Sequence, residues 1–544
     1  MHSSYADTSR LASWKAAAGT SVIAGAIIIL VVVFIDRLAS KPKTYQLFPV
    51  WATLEIGLTS HLLSENGLGR RILMLLRRNS GSLVGLSSRH QILIDSPHMT
   101  KLMSQSKSIL DPFPAQYTLL VRVFGGEDSL QFKQKLDASY MSLKSPVEKV
   151  FLNENAATAA LERACIPDKV KSFVTFKSNP RDIELWEHSA QIRVINPDSG
   201  GVEKVEANFQ SLVRDFGACV AIPQLYGRDF LDRYPQALED LWKFDNDLFP
   251  LLMIGLPLWA PLKVLKEGLA ARTRLITELE ALYRRIDQYQ QGDNVNFGAD
   301  MRDVGETALG RNAVYRREGW SFPERGAGDL GLLWGQNANT QPLLFWLLTY
   351  VYSTSEVLEQ LRVELAPYVT MSTSTPRELT SLDMQGLSRN CPLLKACIYE
   401  TYRLVNEPTS IRSVGSSPVH VTDGELRHEL KPGTFVSVPY SLVNRDASIY
   451  NSPNKFDPGR FLELDPSSGK LTARYGRLKP WGSGPAICKG RIFAEKEIVT
   501  LAAAIIEMWN VDPADGVWKL PGMIPGTGVR KPTNDIRVVI TRRT

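Results

Sequence analysis

Close to its C-terminal end, the chain reads Trp481-Gly-Ser-Gly-Pro-Ala-Ile-Cys488-Lys-Gly-Arg-Ile-Phe-Ala494. Three glycines in this segment, Gly482, Gly484 and Gly490, permit tight turns and let a flat ligand approach the backbone closely. A helical periodicity starts directly after Cys488, so this residue is predicted at a helix N-terminus, where free N–H groups and the helix dipole stabilise a thiolate. The segment therefore predicts a cysteine whose thiolate form is stabilised.

Each of these features has a simpler interpretation on its own. An isolated cysteine is usually a small buried hydrophobe, and Gly-rich loops are common. The chain holds five cysteines, an odd and sparse number that argues against a disulfide framework and for a reducing compartment. No C-x-x-C or Cys–His spacing typical of zinc sites occurs. The five are Cys165, Cys219, Cys391, Cys397 and Cys488.

Taken together, the features of this segment resemble the haem-binding signature of the cytochrome P450 family. That signature has an aromatic residue, a glycine four positions before the cysteine, a glycine two positions after it, and then a helix. The resemblance implies a haem b cofactor whose iron takes Cys488 as its axial ligand, with Trp481, Gly482, Gly484 and Gly490 around the cofactor. A thiolate on haem iron promotes cleavage of the O–O bond.

Two further segments resemble the same family. Glu400-Thr-Tyr-Arg403 is similar to its K-helix pair, and at a spacing of three residues the two side chains share a helix face. Alone, such a pair is usually an ordinary helix salt bridge. The resemblance implies that Arg460, in residues 456–461, joins the pair in a buried network. It also implies that Arg412 is a partner of a haem propionate.

Residues 332–346 resemble the long helix that crosses the distal face of the haem. Most family members carry an acid followed by threonine there, a pair that delivers protons to bound oxygen. This chain has Ala338 and Asn339 at those positions, and a carboxamide can hold a water molecule but is not a titratable acid. Thr340 lies about 100° further round the helix, so it does not simply substitute. The resemblance implies that Asn339 and Thr340 face or adjoin oxygen and substrate.

Within the family, the chain most resembles the sterol 7-alpha-hydroxylase and prostacyclin synthase branch. The Ala-Asn-Thr run is followed by Pro342, and Trp481 replaces the usual phenylalanine. The Trp-x-x-x-Arg motif that is common in the family does not occur, and Ala486 stands where many members have a basic residue. Contacts to the haem propionates other than Arg412 are therefore not assigned.

An uncharged segment, residues 16–35, lies near the N-terminus and ends in a dense apolar run. About twenty such residues form one membrane-spanning helix. The alternative is a cleaved secretory signal, but no clear small-x-small cleavage site follows. The predicted organisation is an N-terminal segment (1–15), a transmembrane helix (16–35), a connector (36–50) and a cytochrome P450 catalytic domain (51–544). Flanking charges favour a cytosolic catalytic domain, and the family resemblance implies the endoplasmic reticulum membrane.

Periodicity in the body predicts a mainly α protein with small β-sheets. The predicted helices are residues 206–216, 236–247, Lys263–Gln291, 355–368, Pro392–Val405 and 492–508. Strands are predicted at 434–439 and 536–541, and the polar stretch 291–328 is interpreted as a surface connection. The apolar run 248–261 is too short and too rich in proline to cross a bilayer. It is either buried core or a patch at the membrane surface, and the family resemblance favours a membrane-facing substrate entrance.

The net charge of +6 is too weak to suggest binding to nucleic acid. Basic residues are nevertheless frequent around Cys488, on the side of the chain where the resemblance places the proximal surface. Such a patch is predicted to dock an acidic flavoprotein, the alternative being that its charges are merely solvated. The residues are Arg474, Arg477, Lys479, Lys489, Arg491 and Lys496.

The resemblance implies a haem-thiolate monooxygenase that hydroxylates or epoxidises a hydrophobic sterol, terpenoid or other secondary metabolite. It would use O2 and electrons that pass from NADPH through a separate NADPH–cytochrome reductase, with cytochrome b5 as an optional second partner. One alternative is a haem-dependent isomerase or dehydratase of a peroxide or epoxide, which needs no reductase. Another is a haem-binding protein without turnover.

Overall fold

The computed structural model describes residues 46–64, 83–94, 101–195, 203–423, 426–526 and 528–543. The predicted membrane-spanning segment 16–35, the segment before it and most of the connector lie outside these residues. Among the described helices, none is both long enough and apolar enough to cross a membrane.

The described part of the chain is dominated by helices. In chain order they are α1 (Trp51–Ser64), α2 (Phe113–Arg122), α3 (Leu130–Phe151), α4 (Glu154–Arg163), α5 (Ile166–Lys171), α6 (Phe209–Tyr226), α7 (Arg228–Arg233), α8 (Ala237–Lys243), α9 (Phe249–Met253), α10 (Lys263–Gln291), α11 (Glu306–Arg317), α12 (Phe322–Asn337), α13 (Thr340–Tyr352), α14 (Ser355–Leu365), α15 (Met384–Asn390), α16 (Pro392–Val405), α17 (Ser441–Asn444) and α18 (Arg491–Met508). A π-helix, Phe244–Leu248, joins α8 to α9.

The strands are short. They are β1 (Leu83–Ser87), β2 (His90–Leu93), β3 (Leu110–Asp111), β4 (Arg193–Ile195), β5 (Lys204–Asn208), β6 (Val369–Met371), β7 (Leu379–Leu382), β8 (Thr409–Val414), β9 (Val419–Asp423), β10 (Leu426–Leu430), β11 (Phe435–Pro439), β12 (Leu462–Leu464), β13 (Leu471–Ala473), β14 (Trp509–Pro513), β15 (Met523–Ile524), β16 (Lys531–Pro532) and β17 (Arg537–Arg542). The predicted class, mainly α with small sheets, is confirmed.

Two sheets have more than two strands among the described residues. The larger has the order β1-β2-β11-β8-β3, in which β2 and β11 are parallel and the other neighbours are antiparallel. The second has the order β14-β17-β5-β4 and is antiparallel throughout. Strand β8 of the larger sheet carries Arg412, and the hairpin β15–β16 approaches α13 from the C-terminal part of the chain.

Helices α13 and α18 lie in the centre of the helical core. Every residue of α13 is buried, and so is every residue of α18 from Lys496 to Met508. A helix that is apolar on all sides is stable only in such surroundings. Because α13 follows Asn339 and α18 follows Cys488, these two core helices fix the positions of both candidate site segments.

Several predicted boundaries agree closely with the structure. Helices α10 and α16 begin and end at the predicted residues. Helix α10 ends at Gly292, which adopts the left-handed conformation that glycine favours after a helix. The predicted helix 206–216 is wrong at its start, because residues 206–208 belong to β5 and α6 begins at Phe209.

The prediction of a surface connection over residues 291–328 is also wrong, because this stretch contains α11. The buried face of α11 is largely polar and includes Arg311 and Asn312. Arg311 donates to the buried carboxylate of Asp329 at 2.6 Å, and Tyr315 donates to the same carboxylate at 2.9 Å. Hydrophobic periodicity does not detect a helix that is held by a buried polar network.

The apolar run 248–261 is divided between two environments. Leu248, Phe249 and Leu252 are buried in the core. Leu258 and Trp259 are 55% and 63% exposed, respectively. The buried-core interpretation is confirmed for these first residues, and the membrane-surface interpretation of the exposed pair stays a prediction.

Candidate active site

Cys488 lies just before α18, at the end of a loop that closes on itself. Its backbone N–H donates to Trp481 O at 3.0 Å, and Arg491 Nη1 donates to Cys488 O at 3.0 Å. The side chain is accessible to solvent, yet it lies deep enough in the protein that burial raises the pKa of the thiol. The N–H of Gly490 and the charges of Arg491 and Lys489 act in the opposite direction. A metal cation at the sulfur would favour the thiolate further.

Two of the loop glycines are required by the backbone. Gly482 and Gly484 have φ of +74° and +71°, in the left-handed region that favours glycine. A Cβ on Gly484 would lie 1.9 Å from Met103 O, so no other residue fits without movement of the backbone. Gly490 has an ordinary φ of −87°, and a Cβ there would make normal contact with Cys488 Sγ at 3.8 Å.

Trp481 is anchored by residues that the sequence pattern did not reveal. Its Nε1 donates to the hydroxyl of Tyr475 at 3.1 Å, and that hydroxyl donates to Glu495 Oε2 at 2.5 Å. Burial raises the pKa of Tyr475, so it remains a donor. The ring of Tyr402 packs edge-on against Trp481 at 5.3 Å between centroids. The glutamate of this cluster lies on α18, which fastens the loop to the helix that follows it.

Arg412 has a buried nitrogen that lacks a partner. The residue is 5% exposed, and its Nη1 donates to Ile411 O at 2.9 Å. Its Nη2 has no hydrogen-bond partner among the described residues. Burial lowers the pKa of Arg412, while Tyr440 and Tyr140 act in the opposite direction. A buried guanidinium nitrogen needs an acceptor, and a carboxylate is the acceptor that suits it best.

Glu400 and Arg403 form a fully buried pair on α16. Arg403 donates to both carboxylate oxygens of Glu400 at 2.7 Å and to the carbonyls of Asn444 and Pro453 at 2.9 and 2.6 Å. Arg460 approaches Glu400 less closely, at 3.4 Å, and is 12% exposed. The structure thus brings the three predicted network residues together and adds backbone carbonyls that the sequence could not indicate.

The predicted single helix over residues 332–346 is interrupted at Ala338 and Asn339. Helix α12 ends at Asn337 and α13 begins at Thr340. Pro342 explains the break, because its ring has no N–H and collides with the carbonyl of the residue four positions earlier, Ala338. Asn339 therefore occupies the junction between two helices and not the interior of one.

The surroundings of Asn339 are unusually close-packed on one side and open on the other. Its Oδ1 is buried without a hydrogen-bond partner among the described residues. A Cβ on Gly528 would come within 2.3 Å of this oxygen, so Gly528 lies directly against the amide. One turn earlier, Gly335 is exposed and a Cβ there would meet no atom within 4 Å. Thr340 is buried, with 7% of its surface exposed.

These residues fit an iron porphyrin. Cys488 offers a sulfur ligand, Arg412 offers a buried donor that suits a propionate carboxylate, and Gly335 leaves a helix face open for a flat molecule. The arrangement provides a soft metal ligand and a charge partner, together with an amide-bearing helix junction. It can therefore support redox chemistry at a metal.

Only some of the basic residues predicted to form a docking patch lie at the surface. Lys496 is 6% exposed and donates to Ser388 Oγ at 3.3 Å, so it does not belong to the patch. Lys489 pairs with Glu148 at 3.3 Å, and Arg474 pairs with Glu463 at 2.6 Å. Arg477 is exposed, and Lys479 and Arg491 are partly exposed.

The sequence comparisons agree with the fold. Residues 330–538 match the family described as Cytochrome P450. A cytochrome P450 monooxygenase of Gibberella zeae is 28% identical over 58% of this chain and 59% of its own length. Mouse cytochrome P450 7B1 is 24% identical over 75% and 76%. The rat 25-hydroxycholesterol 7-alpha-hydroxylase is 26% identical over 51% and 64%. The chain thus spans less than two thirds of the length of the fungal relative.

The fold also resembles solved structures. A cyanobacterial cytochrome P450 with bound retinoic acid superposes with a TM-score of 0.60 at 17% identity, covering 89% of this chain and 96% of the other. The likeness shows the fold. The chain therefore has a cytochrome P450 fold, and its residues 330–538 match the cytochrome P450 family.

Proposed function

We propose that the chain is a haem-thiolate monooxygenase that hydroxylates or epoxidises a hydrophobic small molecule. The observation that carries this proposal is the position of Cys488, an accessible thiol in a closed loop at the start of a core helix. Its relatives in the family are monooxygenases and sterol hydroxylases by name.

Different residues would bind different parts of the cofactor. When bound, haem supplies the activation of molecular oxygen. The sulfur of Cys488 would ligate the iron, and the Gly490 N–H would stabilise its charge. Arg412 would donate its unpartnered Nη2 to a propionate carboxylate. Glu400, Arg403 and the less closely bound Arg460 would hold the polypeptide behind the cofactor.

Asn339 and Thr340 would supply the polar groups on the opposite side. The amide of Asn339 can bind a water molecule as donor and as acceptor, but it cannot release a proton at neutral pH. We assign it the role of orienting a water molecule or the substrate at the helix junction. The hydroxyl of Thr340 adjoins the same position and is able to donate and accept a hydrogen bond there.

The substrate proposed is a sterol, a terpenoid or another hydrophobic secondary metabolite. Named relatives act on hydroxylated cholesterol, and the exposed apolar residues Leu258 and Trp259 suit a substrate that arrives from a lipid phase. We further propose that residues 16–35 anchor residues 51–544, the catalytic domain, to the endoplasmic reticulum membrane on its cytosolic side. Deletion of residues 1–40 should then release the protein from membrane spanning while haem binding persists.

Electrons would come from NADPH through a separate reductase, with cytochrome b5 as a further donor. Arg477, Lys479 and Arg491 offer positive charge around the Cys488 segment, and such charge steers an acidic protein toward its docking position. Because Lys489 already pairs with Glu148, its contribution to docking should be smaller than that of Arg491.

A second function is favoured by one observation, the replacement of the usual acid by Ala338 beside Asn339. An isomerase or dehydratase of a peroxide or epoxide needs haem but no proton relay and no reductase. We weigh this observation less than the relatives, which are named as monooxygenases and hydroxylases.

One experiment separates the two functions. Membrane-bound protein is incubated with NADPH–cytochrome reductase and an extract of hydrophobic metabolites, with and without NADPH, and a Cys488→Ser variant serves as the control. The monooxygenase gains oxygenated products only when NADPH is present. Products that form without NADPH, either with unchanged elemental composition or with the loss of one water, would contradict it and support the isomerase or dehydratase.

A further inference from the structure

A cavity of about 620 Å³ opens to the surface between the 3-10 turn Leu185–Glu187, helix α6 and helix α8. None of the described residues that line it belongs to the Cys488 loop, to α12 or to α13. A volume of this size is ordinary for a small-molecule site. Leu185, Pro235 and Leu238 supply apolar surface to its walls. The cavity is therefore a candidate binding site that is separate from the candidate haem site.

The buried carboxylate of Asp215 joins the walls of this cavity. Asp215 is 3% exposed, and its Oδ1 accepts hydrogen bonds from Trp242 Nε1 at 2.7 Å and from Arg214 Nε at 2.9 Å. Its Oδ2 accepts a short hydrogen bond from the hydroxyl of Ser189. Because Trp242 lies on α8 and Ser189 follows the turn, one residue of α6 holds both neighbouring walls in place.

The turn is also fixed from behind. Thr175 donates to the carboxylate of Glu187 through its backbone N–H and through its hydroxyl, both at 2.9 Å. Trp186 Nε1 donates to Phe173 O at 3.1 Å. A cavity whose walls are held before a ligand arrives loses little conformational freedom on binding, which favours affinity.

The charges in the cavity do not balance. Its acidic and basic side chains, histidine excepted, are Arg214, Lys243, Asp215, Glu239 and Asp247. Arg214 pairs with Asp215 at 2.9 Å, and its guanidinium also lies 4.7 Å from the centroid of the Trp242 ring. Lys243 pairs with Glu239 at 2.8 Å. The lining thus has one carboxylate more than it has cations, and that carboxylate is Asp247.

Asp247 lies in the π-helix Phe244–Leu248 and is partly buried. Its side chain makes no hydrogen bond to the described residues. Burial raises the pKa of Asp247, while the charges of Lys531 and Lys243 act in the opposite direction. Lys243 is already paired, and Lys531 pairs with Asp245 at 2.5 Å. A partly desolvated carboxylate without a hydrogen-bond partner is stabilised by a cation that binds next to it.

We propose that this cavity is a second small-molecule site and that it binds a hydrophobic amine, with the ammonium group at Asp247 and the apolar body against Leu185 and Leu238. The charge of the ligand follows from the excess carboxylate, and its apolar body follows from the walls. The inference goes beyond the proposed monooxygenase function and does not depend on it, because the cavity shares no lining residue with the candidate haem site.

The test uses phenethylamine as the probe and 2-phenylethanol as its uncharged analogue. Each is titrated at pH 8, where an ordinary histidine is neutral, into full-length holoprotein whose haem iron is saturated with clotrimazole. Binding is followed by hydrogen exchange in peptides that cover α8 and residues 185–189, a readout that also locates the ligand. Asp247→Asn removes the charge, and Leu185→Trp fills the cavity. Asp293→Asn, which removes an exposed carboxylate outside the cavity, is the matched control.

Phenethylamine should slow exchange in these peptides of the wild type. Asp247→Asn should raise the concentration for half-maximal protection about tenfold, since a charge-assisted hydrogen bond is lost. The weaker protection by 2-phenylethanol should not change in that variant. Leu185→Trp should weaken protection by both probes, and Asp293→Asn should match the wild type.

Three results would overturn the inference. The first is a wild-type protein in which phenethylamine gives no protection of these peptides. The second is an equal effect of Asp247→Asn and Asp293→Asn on phenethylamine. The third is wild-type protection by phenethylamine in Leu185→Trp, which would place the bound amine outside the cavity.

Discussion

Arg403 donates a hydrogen bond of 2.7 Å to each carboxylate oxygen of Glu400, and neither side chain has any exposed surface. An ion pair so fully removed from water leaves an uncompensated charge when one partner is lost, at a cost of about 3–5 kcal/mol. We therefore predict that Glu400→Ala and Arg403→Ala each lower the free energy of unfolding by about that amount. Haem content per polypeptide should fall with it.

Arg460→Ala is the matched control for that prediction. Arg460 reaches Glu400 only at 3.4 Å and retains some exposure, so its loss should cost about 1 kcal/mol. The measurement is urea unfolding together with haem content after purification. Equal losses for Arg403→Ala and Arg460→Ala would show that burial does not set the strength of this network.

Arg412→Gln should distinguish a cofactor partner from a structural arginine. Because Nη2 is buried without an acceptor among the described residues, removing the guanidinium should not destabilise the haem-free protein. Loss of a charged hydrogen bond to a propionate should, however, speed transfer of haem to an excess of apomyoglobin about tenfold or more. A variant whose haem-free form unfolds more easily but whose haem transfer is unchanged would assign Arg412 a structural role.

The burial of Glu497 should make the free energy of unfolding depend on pH. Burial raises the pKa of this residue on α18 from its ordinary 4.5 to about 8, and neither carboxylate oxygen has a hydrogen-bond partner among the described residues. The folded protein therefore keeps a proton that the unfolded chain releases above pH 4.5. Between these two pKa values stability falls as pH rises, by at most about 1.4 kcal/mol per pH unit.

Glu497→Gln should abolish this dependence, because glutamine resembles the protonated acid at every pH. The difference in unfolding free energy between the variant and the wild type should grow steadily from pH about 5 to pH about 8. Urea titrations across that range provide the measurement. Parallel pH profiles for the two proteins would show that Glu497 is ionised in the folded state.

Charge reversal tests the proposed docking surface. Arg477→Glu and Arg491→Glu should raise the reductase concentration needed for half-maximal NADPH-dependent turnover about threefold at low salt and less at high salt. Lys263→Glu reverses a charge that is 90% exposed on α10 and should have no effect. Turnover that responds equally to all three reversals would point to net charge and remove the specific docking surface.

Much of the fold was predictable where one face of a helix is apolar and its ends carry clear signals. Helix α10, which ends at Gly292, and helix α16 are examples. Helix α11 was not predictable in this way, because Arg311 turns inward to meet Asp329 and the pattern of hydrophobic residues is lost. The break at Asn339 follows from Pro342 by simple sterics, so the sequence contained that signal although the helix pattern concealed it.

In the candidate site, too, some contacts were predictable from the sequence and others were not. The pairing of Glu400 with Arg403 was predictable because the two residues lie three positions apart on one helix, while the roles of Cys488 and Arg412 at a haem stay predictions. The contact of Tyr475 was not predictable, since its partner Glu495 lies 20 residues further along the chain and meets it only through the fold. That separation leaves no local sequence pattern that indicates the contact.

The role of Cys488 as the haem ligand is tested most directly by the reduced carbon-monoxide difference spectrum of the full-length holoprotein. The wild type should give a strongly red-shifted Soret band, because the thiolate donates electron density to the iron. Cys488→Ala should lose that band, whereas Cys219→Ala, which removes a buried thiol, should keep it. A Cys488→Ala protein that retains the red-shifted band would contradict the assignment.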